Sequence, residues 1–359
     1  MAATGQQPAA EAGTEAARPG GDERLVAVSP MRRLLGRPEL GAVVGAVAVF
    51  GFFAAYTDAF ATALGFANVL DVAAPLGIMA VVVALLMIGG EFDLSCGVMT
   101  GSAGLMVAML STKLGWNVWL AVGAALSAGA LVGLLNGCLV IWTRLPSFIV
   151  TLATFLILQG MNLGVTKLVT GTVQVRGVAS APGYQSAYAL FAQTAEIGGA
   201  SFRITILWWV AIALLATWVL LRTRSGNWIF AVGGSAAAAR SVGVPTARTK
   251  VGLFMAVSIA ASLVGIMIVL RLRSVQANQG IGQEFQYIIA AVIGGCLLTG
   301  GYGSAIGAAI GALIFGMARQ GIVFAGWDSD WFQLFLGVLL LSATLLNHYV
   351  RRRAETSKA

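Results

Sequence analysis

The chain reads as long apolar runs broken by short polar interruptions. Ten runs stand out, at approximately 39–57, 68–90, 95–111, 117–142, 147–165, 204–222, 250–270, 286–300, 303–325 and 331–350. A helix rises 1.5 Å per residue, so about 20 apolar residues cross the hydrocarbon of a bilayer. The eighth and ninth runs are short and joined by a Gly-rich turn. The pattern predicts an all-α polytopic membrane protein with about ten transmembrane helices over residues 39–350. Residues 1–38, rich in Ala, Gly, Glu, Pro and Arg, lack an apolar core and a signal-peptide pattern. They are read as a disordered cytosolic tail, and residues 351–359 as a second one.

Composition agrees with this reading. Hydrophobic residues make up 58% of the 359 and charged residues only 10%, against roughly 25% charged in soluble domains. A soluble enzyme and a disordered chain are both excluded. The net charge of +8 would suit nucleic acid, but the basic residues lie in loops between spans. Of 22 Lys and Arg, fifteen fall on the side of the termini. Six fall opposite (Lys113, Lys167, Arg176, Arg203, Arg271 and Arg273), and Arg319 lies within a span. That bias places both termini in the cytosol and argues against nucleic-acid binding. Cys96, Cys138 and Cys296 are too dispersed for a disulfide framework or a zinc site. The single His348 is read as an interfacial side chain, and the tryptophans near span ends as an aromatic belt.

Glycine recurs in register: Gly97, Gly101 and Gly104 in one run, Gly303, Gly307 and Gly311 in another. Small residues at such spacing let helix backbones approach closely in lipid. Each run follows a Gly-Gly pair, Gly89-Gly90 and Gly300-Gly301, which hints at two related halves with interrupted helices.

Four segments carry candidate chemistry. In Gly90–Gly97 (GEFDLSCG), two carboxylates, Glu91 and Asp93, lie between apolar runs, where charge needs water, a cavity or a partner. Either Gly90 ends one helix and Asp93 or Ser95 caps the next, or these groups line a pathway; both can hold. In the loop 223–249, Gly233 and Gly234 precede Ser235, a good N-cap. An alanine run through Ala239 and Arg240 follows, then Gly243 before Pro245 as a stop signal. This predicts one short helix of about two turns outside the bilayer, too short to stand alone and therefore expected to dock on a cytosolic partner. After Arg144, Pro146 opens a helix on which Phe148, Thr151 and Thr154 follow; the two threonines share a face and either bond their own backbone or meet a substrate. Finally, Glu284 and Tyr287 at the mouth of a span either touch a sugar by hydrogen bonding and ring contact or cap a helix. No phosphate-binding loop of the G-x-x-x-x-G-K-[ST] type, no intramembrane proton relay and no nucleophile–base pair is visible, which argues against an enzyme.

These residues resemble a known family. Five stretches occur in its order: GEFDLSCG (90–97), LNGCLVIWTRLPSFIVTLAT (135–154), GNWIFAVGGSAAAARSVG (226–243), EFQYIIAA (284–291) and GGCLLTGGYGS (294–304). Over approximately residues 60–350 the chain is similar to permease subunits of bacterial ABC importers of the ribose/xylose/arabinose type. The resemblance implies a type II importer-like fold of about ten helices in the bacterial inner membrane. It also implies a second permease subunit (usually an identical copy), two cytosolic ATPase subunits that hold the ATP and Mg, and a periplasmic sugar-binding protein. No cofactor or metal is expected in this chain itself. The family's coupling helix falls on Ser235–Val242, which marks Gly233, Gly234, Ser235, Ala239, Arg240 and Gly243 for ATPase coupling. Glu91, Asp93, Ser95, Asn136, Phe148, Thr151, Thr154, Glu284 and Tyr287 are candidates for the translocation pathway. Arg176, Arg271 and Arg273, with the loop 166–203, are candidates for docking the binding protein, because acids on a partner would account for arginines on the outer side. The family has Gly-Gly-Ile-Asp-Leu-Ser where this chain has Gly90–Ser95, so Glu91 is an added carboxylate. Asn is frequent at Ser235, and Thr-Ser at Cys296-Leu297. A monosaccharide or polyol is the expected solute; nucleosides, branched-chain amino acids or a signalling sugar are alternatives within the same fold. A stand-alone secondary transporter is the alternative outside it.

Overall fold

A computed structural model describes residues 38–328 and 330–356, with side chains over 39–328 and 330–345. The N-terminal tail through residue 37, the His348 side chain and residues 357–359 lie outside the described residues.

The elements in order are α1 (Pro38–Tyr56), α2 (Ala63–Ile88), α3 (Ser95–Lys113), α4 (Val118–Thr143), α5 (Ser147–Thr170), β1 (Gln174–Arg176), a 3-10 turn (Val178–Ser180), α6 (Tyr184–Phe191), β2 (Thr194–Ile197), β3 (Ala200–Arg203), α7 (Thr205–Arg222), α8 (Arg224–Gly234), α9 (Ala236–Ser241), α10 (Thr246–Leu272), β4 (Ser274–Gln276), α11 (Gln283–Ile293), α12 (Ala305–Phe324) and α13 (Trp331–Thr356). Among the described residues, eight helices (α1–α5, α7, α10 and α12) are long and apolar enough to span a membrane, and α13 has a shorter apolar stretch, Trp331–Leu345. The chain is all-α and polytopic.

Burial divides these helices into two layers. The apolar windows of α2, α3 and α10 are 78, 72 and 72% buried, whereas those of α1, α5 and α7 are 17, 17 and 22% buried. The first three form a central group: α10 packs on α4, α3 and α2, and α2 also packs on α12. The outer helices turn bare apolar side chains outward, which suits hydrocarbon rather than water. The glycine runs act as close-packing surfaces. A Cβ at Gly101 of α3 would lie 2.1 Å from the Gln279 carbonyl, and one at Gly311 of α12 would lie 2.0 Å from the Ala290 carbonyl.

Three sequence-based expectations change. The predicted eighth span, 286–300, is instead α11, an 11-residue helix about 16 Å long, roughly half a bilayer core. The segment before it runs irregularly along α3: Val275 packs at Gly104, Gln279 at Gly101 and Glu284 at Gly97. Gly280 and Gly282, at φ +87° and +84°, bend that segment. The loop 223–249 holds two helices rather than one. Residues 224–234, read as part of the loop, form α8; Thr223 caps it by accepting from Gly226 N at 3.2 Å, and Ile229 and Val232 are buried. Packing of that face outweighs weak propensity. In the loop 166–203, β2 and β3 form a hairpin turned by Gly198 and Gly199, both with positive φ. That is the glycine pattern a two-residue hairpin turn requires.

Candidate functional site: a polar seam at a helix break and an external helix

The interruption between α2 and α3 is built backbone first. Gly90 adopts φ +82°, and the N–H groups of Gly90 and Glu91 donate to the carbonyls of Met87 and Leu86 at 2.9 and 3.1 Å. This closes the end of α2 as a Schellman cap. The same cap recurs at the end of α11, where Gly295 and Cys296 donate to Val292 and Ala291 at 2.9 and 3.1 Å. The structural counterpart of Gly89-Gly90 is therefore Gly294-Gly295, not the Gly300-Gly301 pair suggested by the glycine register.

Beyond the cap, side chains take over the free N–H groups. Of the two cap candidates, Asp93 does the work: its Oδ1 accepts from Ser95 N at 2.8 Å and from Ser95 Oγ at 2.5 Å. The start of α5 clamps the break from the other side. Ser147 Oγ accepts from Phe92 N and Thr151 Oγ1 from Leu94 N, both at 3.1 Å. Thr151 also donates to its own helix, at Ser147 O, the backbone bonding that was one of the two readings of its hydroxyl. The seam continues into α4. Asn136 Nδ2 donates to Ser95 Oγ at 3.0 Å, and Thr154 Oγ1 donates to Asn136 Oδ1 at 2.6 Å. Asp93, Ser95, Asn136 and Thr151 are all buried, so α3, α4 and α5 are joined by one polar chain where apolar packing alone would give no register.

Two acceptors are left over. Asp93 Oδ2 and Glu284 Oε2 are buried without a hydrogen-bond partner, although a buried polar atom ordinarily has one. Glu284 Oε1 accepts from Gly282 N at 3.2 Å, and Tyr287 donates to Gln283 Oε1 at 2.7 Å. The polar groups at the start of α11 thus stabilise their own helix end. Glu284 nevertheless packs against Gly97, one turn along α3 from Asp93, so the two unpartnered oxygens flank the first turn of α3. Phe148 stands apart from the seam, 52% exposed.

Glu91 is ion-paired with Lys250 at the start of α10, a partner that sequence reading did not supply. The pair sits in a cleft of about 560 Å³ lined also by Arg144, Ser147 and Arg240. Above it hangs α9. Ser235 caps the helix by accepting from Ala238 N at 3.3 Å. Gly243, at φ +85°, ends it with N–H bonds from Gly243 and Val244 to Arg240 and Ala239. Ala239 is its buried anchor and Arg240 is exposed. The predicted helix over Ser235–Val242 is thus present as Ala236–Ser241 between the expected caps.

At the opposite end the expectation for Arg271 needs correction. Arg271 does not await acids on a partner: it pairs with Asp71 of α2 at 2.7 Å, and Arg203 holds the other oxygen of the same carboxylate at 2.6 Å. Asp71 was overlooked, yet a lone acid inside the run 68–90 was its signal, since such a group demands a partner. Arg273, exposed and in the left-handed region at φ +58°, and Arg176, bonded to Gln174, remain at the surface. Arg176 and Lys113 line a second cleft of about 400 Å³ with Ser111, Thr112 and Ser180.

The family model described as "Branched-chain amino acid transport system / permease component" matches residues 65–344. The chain is 33% identical to the ribose import permease protein of Escherichia coli strain K12 over 282 residues, 78% of this chain and 84% of that protein. It is 30% identical to the fructose import permease protein of Rhizobium meliloti over 286 residues, 80% and 78% of the two chains. It is also 30% identical to the xylose transport system permease protein of E. coli K12 over 361 aligned positions, 87% and 92% of the two chains. No solved structure matches the chain.

Proposed function

Because the chain belongs to the family of branched-chain amino acid transport system permease components, we propose that it is the membrane-spanning subunit of an ATP-driven importer whose solute is a monosaccharide. The observation that carries the solute class is the near-full-length likeness to permeases for ribose, fructose and xylose. On this reading the chain sits in a bacterial inner membrane with Arg144, Arg222 and Arg240 facing the cytosol, as the charge bias favours. A second permease copy completes the pathway, cytosolic ATPase subunits bind ATP and Mg and press on α9, and a periplasmic binding protein delivers the sugar.

The geometry gives each part a physical role. α9 is a six-residue helix that would not persist alone yet is capped at both ends, as a docking element should be. Asp93 Oδ2 and Glu284 Oε2 are hydrogen-bond acceptors without donors, and a sugar's hydroxyl groups are donors. Opening the α2–α3 break to a sugar would therefore satisfy both. Docking of the binding protein falls to Arg176, Lys113 and Arg273, since Arg271 is already paired within the chain.

A second reading, import of a branched-chain amino acid, is favoured by the description of the family alone. Reconstitution with its ATPase and binding-protein partners separates the two. Uptake of labelled ribose, fructose or xylose but not leucine, dependent on ATP, is expected. Uptake by the purified chain alone on an ion gradient would refute the importer reading. Arg240→Glu or Gly243→Pro should lower uptake and ATPase stimulation while leaving insertion intact; proline cannot take the +85° φ of Gly243.

A further inference from the structure

Three glycine-bearing turns from distant parts of the chain meet in one place with no side chain between them. The first ends α2 (Ile88–Gly90), the second ends α8 (Gly233–Gly234), and the third precedes α12 (Gly300–Gly301). Gly301 N donates to the Ile88 carbonyl at 2.8 Å, supplying a partner for a carbonyl that the helix end leaves free. A Cβ on Gly233 would fall 1.7 Å from that same carbonyl oxygen and 2.7 Å from Gly301 N. One on Gly300 would fall 2.7 Å from the Gly90 Cα, and one on Gly301 2.9 Å from the Gly234 Cα. Gly300 and Gly301 have φ of +80° and +73°, so their backbone course as well as the lack of space calls for glycine.

We infer that these three turns form a single joint that carries displacement of α9 into both interrupted helix pairs, α2–α3 and α11–α12. The inference rests on the import reading and adds the route of transmission. The physical ground is the absence of slack. Side chains can absorb a displacement of a few tenths of an ångström by changing rotamer, whereas backbones in direct contact cannot. Gly233 is two residues from Ser235, the residue that ends α8 and caps α9. A shift of α9 therefore reaches Gly233 almost undiminished. From there it bears on the Ile88 carbonyl at the end of α2 and on the Gly300–Gly301 turn that leads into α12. Asp93 stands five residues beyond Ile88, so the break that holds the unpartnered carboxylate lies directly downstream of the joint.

The test is Gly233→Ala in the full complex with ATPase and binding protein, in liposomes. Basal ATP hydrolysis without binding protein is measured alongside, so that uptake is read per ATP hydrolysed. Sugar uptake and stimulation by the binding protein should both fall by about tenfold or more, as an overpacked contact of this kind implies. Gly252→Ala, on α10 with open space at its Cβ, is the control and should match wild type. Wild-type uptake by Gly233→Ala overturns the joint. If Gly233→Ala fails to assemble, hydrogen exchange on the wild-type complex decides. Protection at Gly300–Tyr302 should change together with that of α9 when a non-hydrolysable ATP analogue is added, and a change confined to α9 overturns the inference. Failure of the import reading would show differently, as a wild-type complex that takes up no sugar.

Discussion

Replacing Lys250 with Met removes one half of the Glu91–Lys250 ion pair while keeping most of the side-chain volume. The Glu91 side chain is 9% exposed and that of Lys250 19%, so the pair is largely withdrawn from water. Breaking such a pair strands a buried charge and costs about 3–5 kcal/mol; the neighbouring cleft admits water and favours the lower end. Unfolding entropy near 60 °C is about 2.1 cal/mol/K per residue, or about 0.7 kcal/mol/K over a body of roughly 320 residues. A loss of about 3 kcal/mol then lowers the melting temperature by about 4–5 °C. The converse substitution, Glu91→Gln, should cost less, because the Lys250 ammonium can swing into the cleft and reach solvent. Together, Glu91→Gln and Lys250→Met leave no unpaired charge and should recover most of the loss, to within about 1–2 °C of wild type. The assay is thermal unfolding of the purified protein in lipid nanodiscs, with all four members of the cycle measured side by side. A Lys250→Met protein as stable as wild type would refute the reasoning. So would a double variant whose loss equals the sum of the two single losses.

Other consequences can be checked in the same way. Asp71→Asn removes the carboxylate shared by Arg203 and Arg271 and leaves two cations facing each other. It should destabilise by about 1–3 kcal/mol, and the loss should shrink when Arg271→Gln is added. Asn136→Leu removes the two hydrogen bonds that link Ser95 and Thr154, while Ser95 keeps Asp93 and Thr154 keeps Val150 as partners, at about 1–3 kcal/mol by the same thermal assay; Thr154→Val, which removes only one of the two bonds, should cost less. Ser235→Ala deletes the side-chain cap of α9 while the backbone N–H of residue 235 still closes α8 at Ala231 O, for about 1 kcal/mol of local stability. It should appear as faster hydrogen exchange confined to residues 236–241 and as weaker ATPase stimulation, with global melting unchanged.

Much of the architecture was legible because a bilayer enforces a simple length rule. The run 250–270 became α10 over 246–272 and the run 117–142 became α4 over 118–143. Local chemistry was legible too, since an Ser–Ala–Ala–Ala–Ala string before Val-Gly-Val-Pro contains both ends of α9. Pairing between distant positions was not. Asp71 meets Arg271 across 200 residues and Lys250 meets Glu91 across 159, and nothing in either local pattern encodes the other. The same limit explains Gly300-Gly301. Its spacing suggested a repeat of Gly89-Gly90, whereas the fold uses it as a contact for that pair. Residues 286–300 failed as a span for a different reason. A window average cannot distinguish a crossing helix from a short helix and a glycine turn folded back onto other backbone.

That short helix constrains how the protein is made. At about 16 Å, α11 cannot partition into lipid as an independent crossing, and the irregular strand of backbone before it can lie at depth only once protein surrounds it. The surface that receives it, the glycine face of α3, is synthesised some 180 residues earlier, and its other flank, α12, follows on the ribosome. Insertion of residues 274–300 is therefore a late event. Nascent chains that stop before residue 305 should still expose Ser274–Gly303 to water-soluble thiol labelling at introduced cysteines, and chains that include α12 should not.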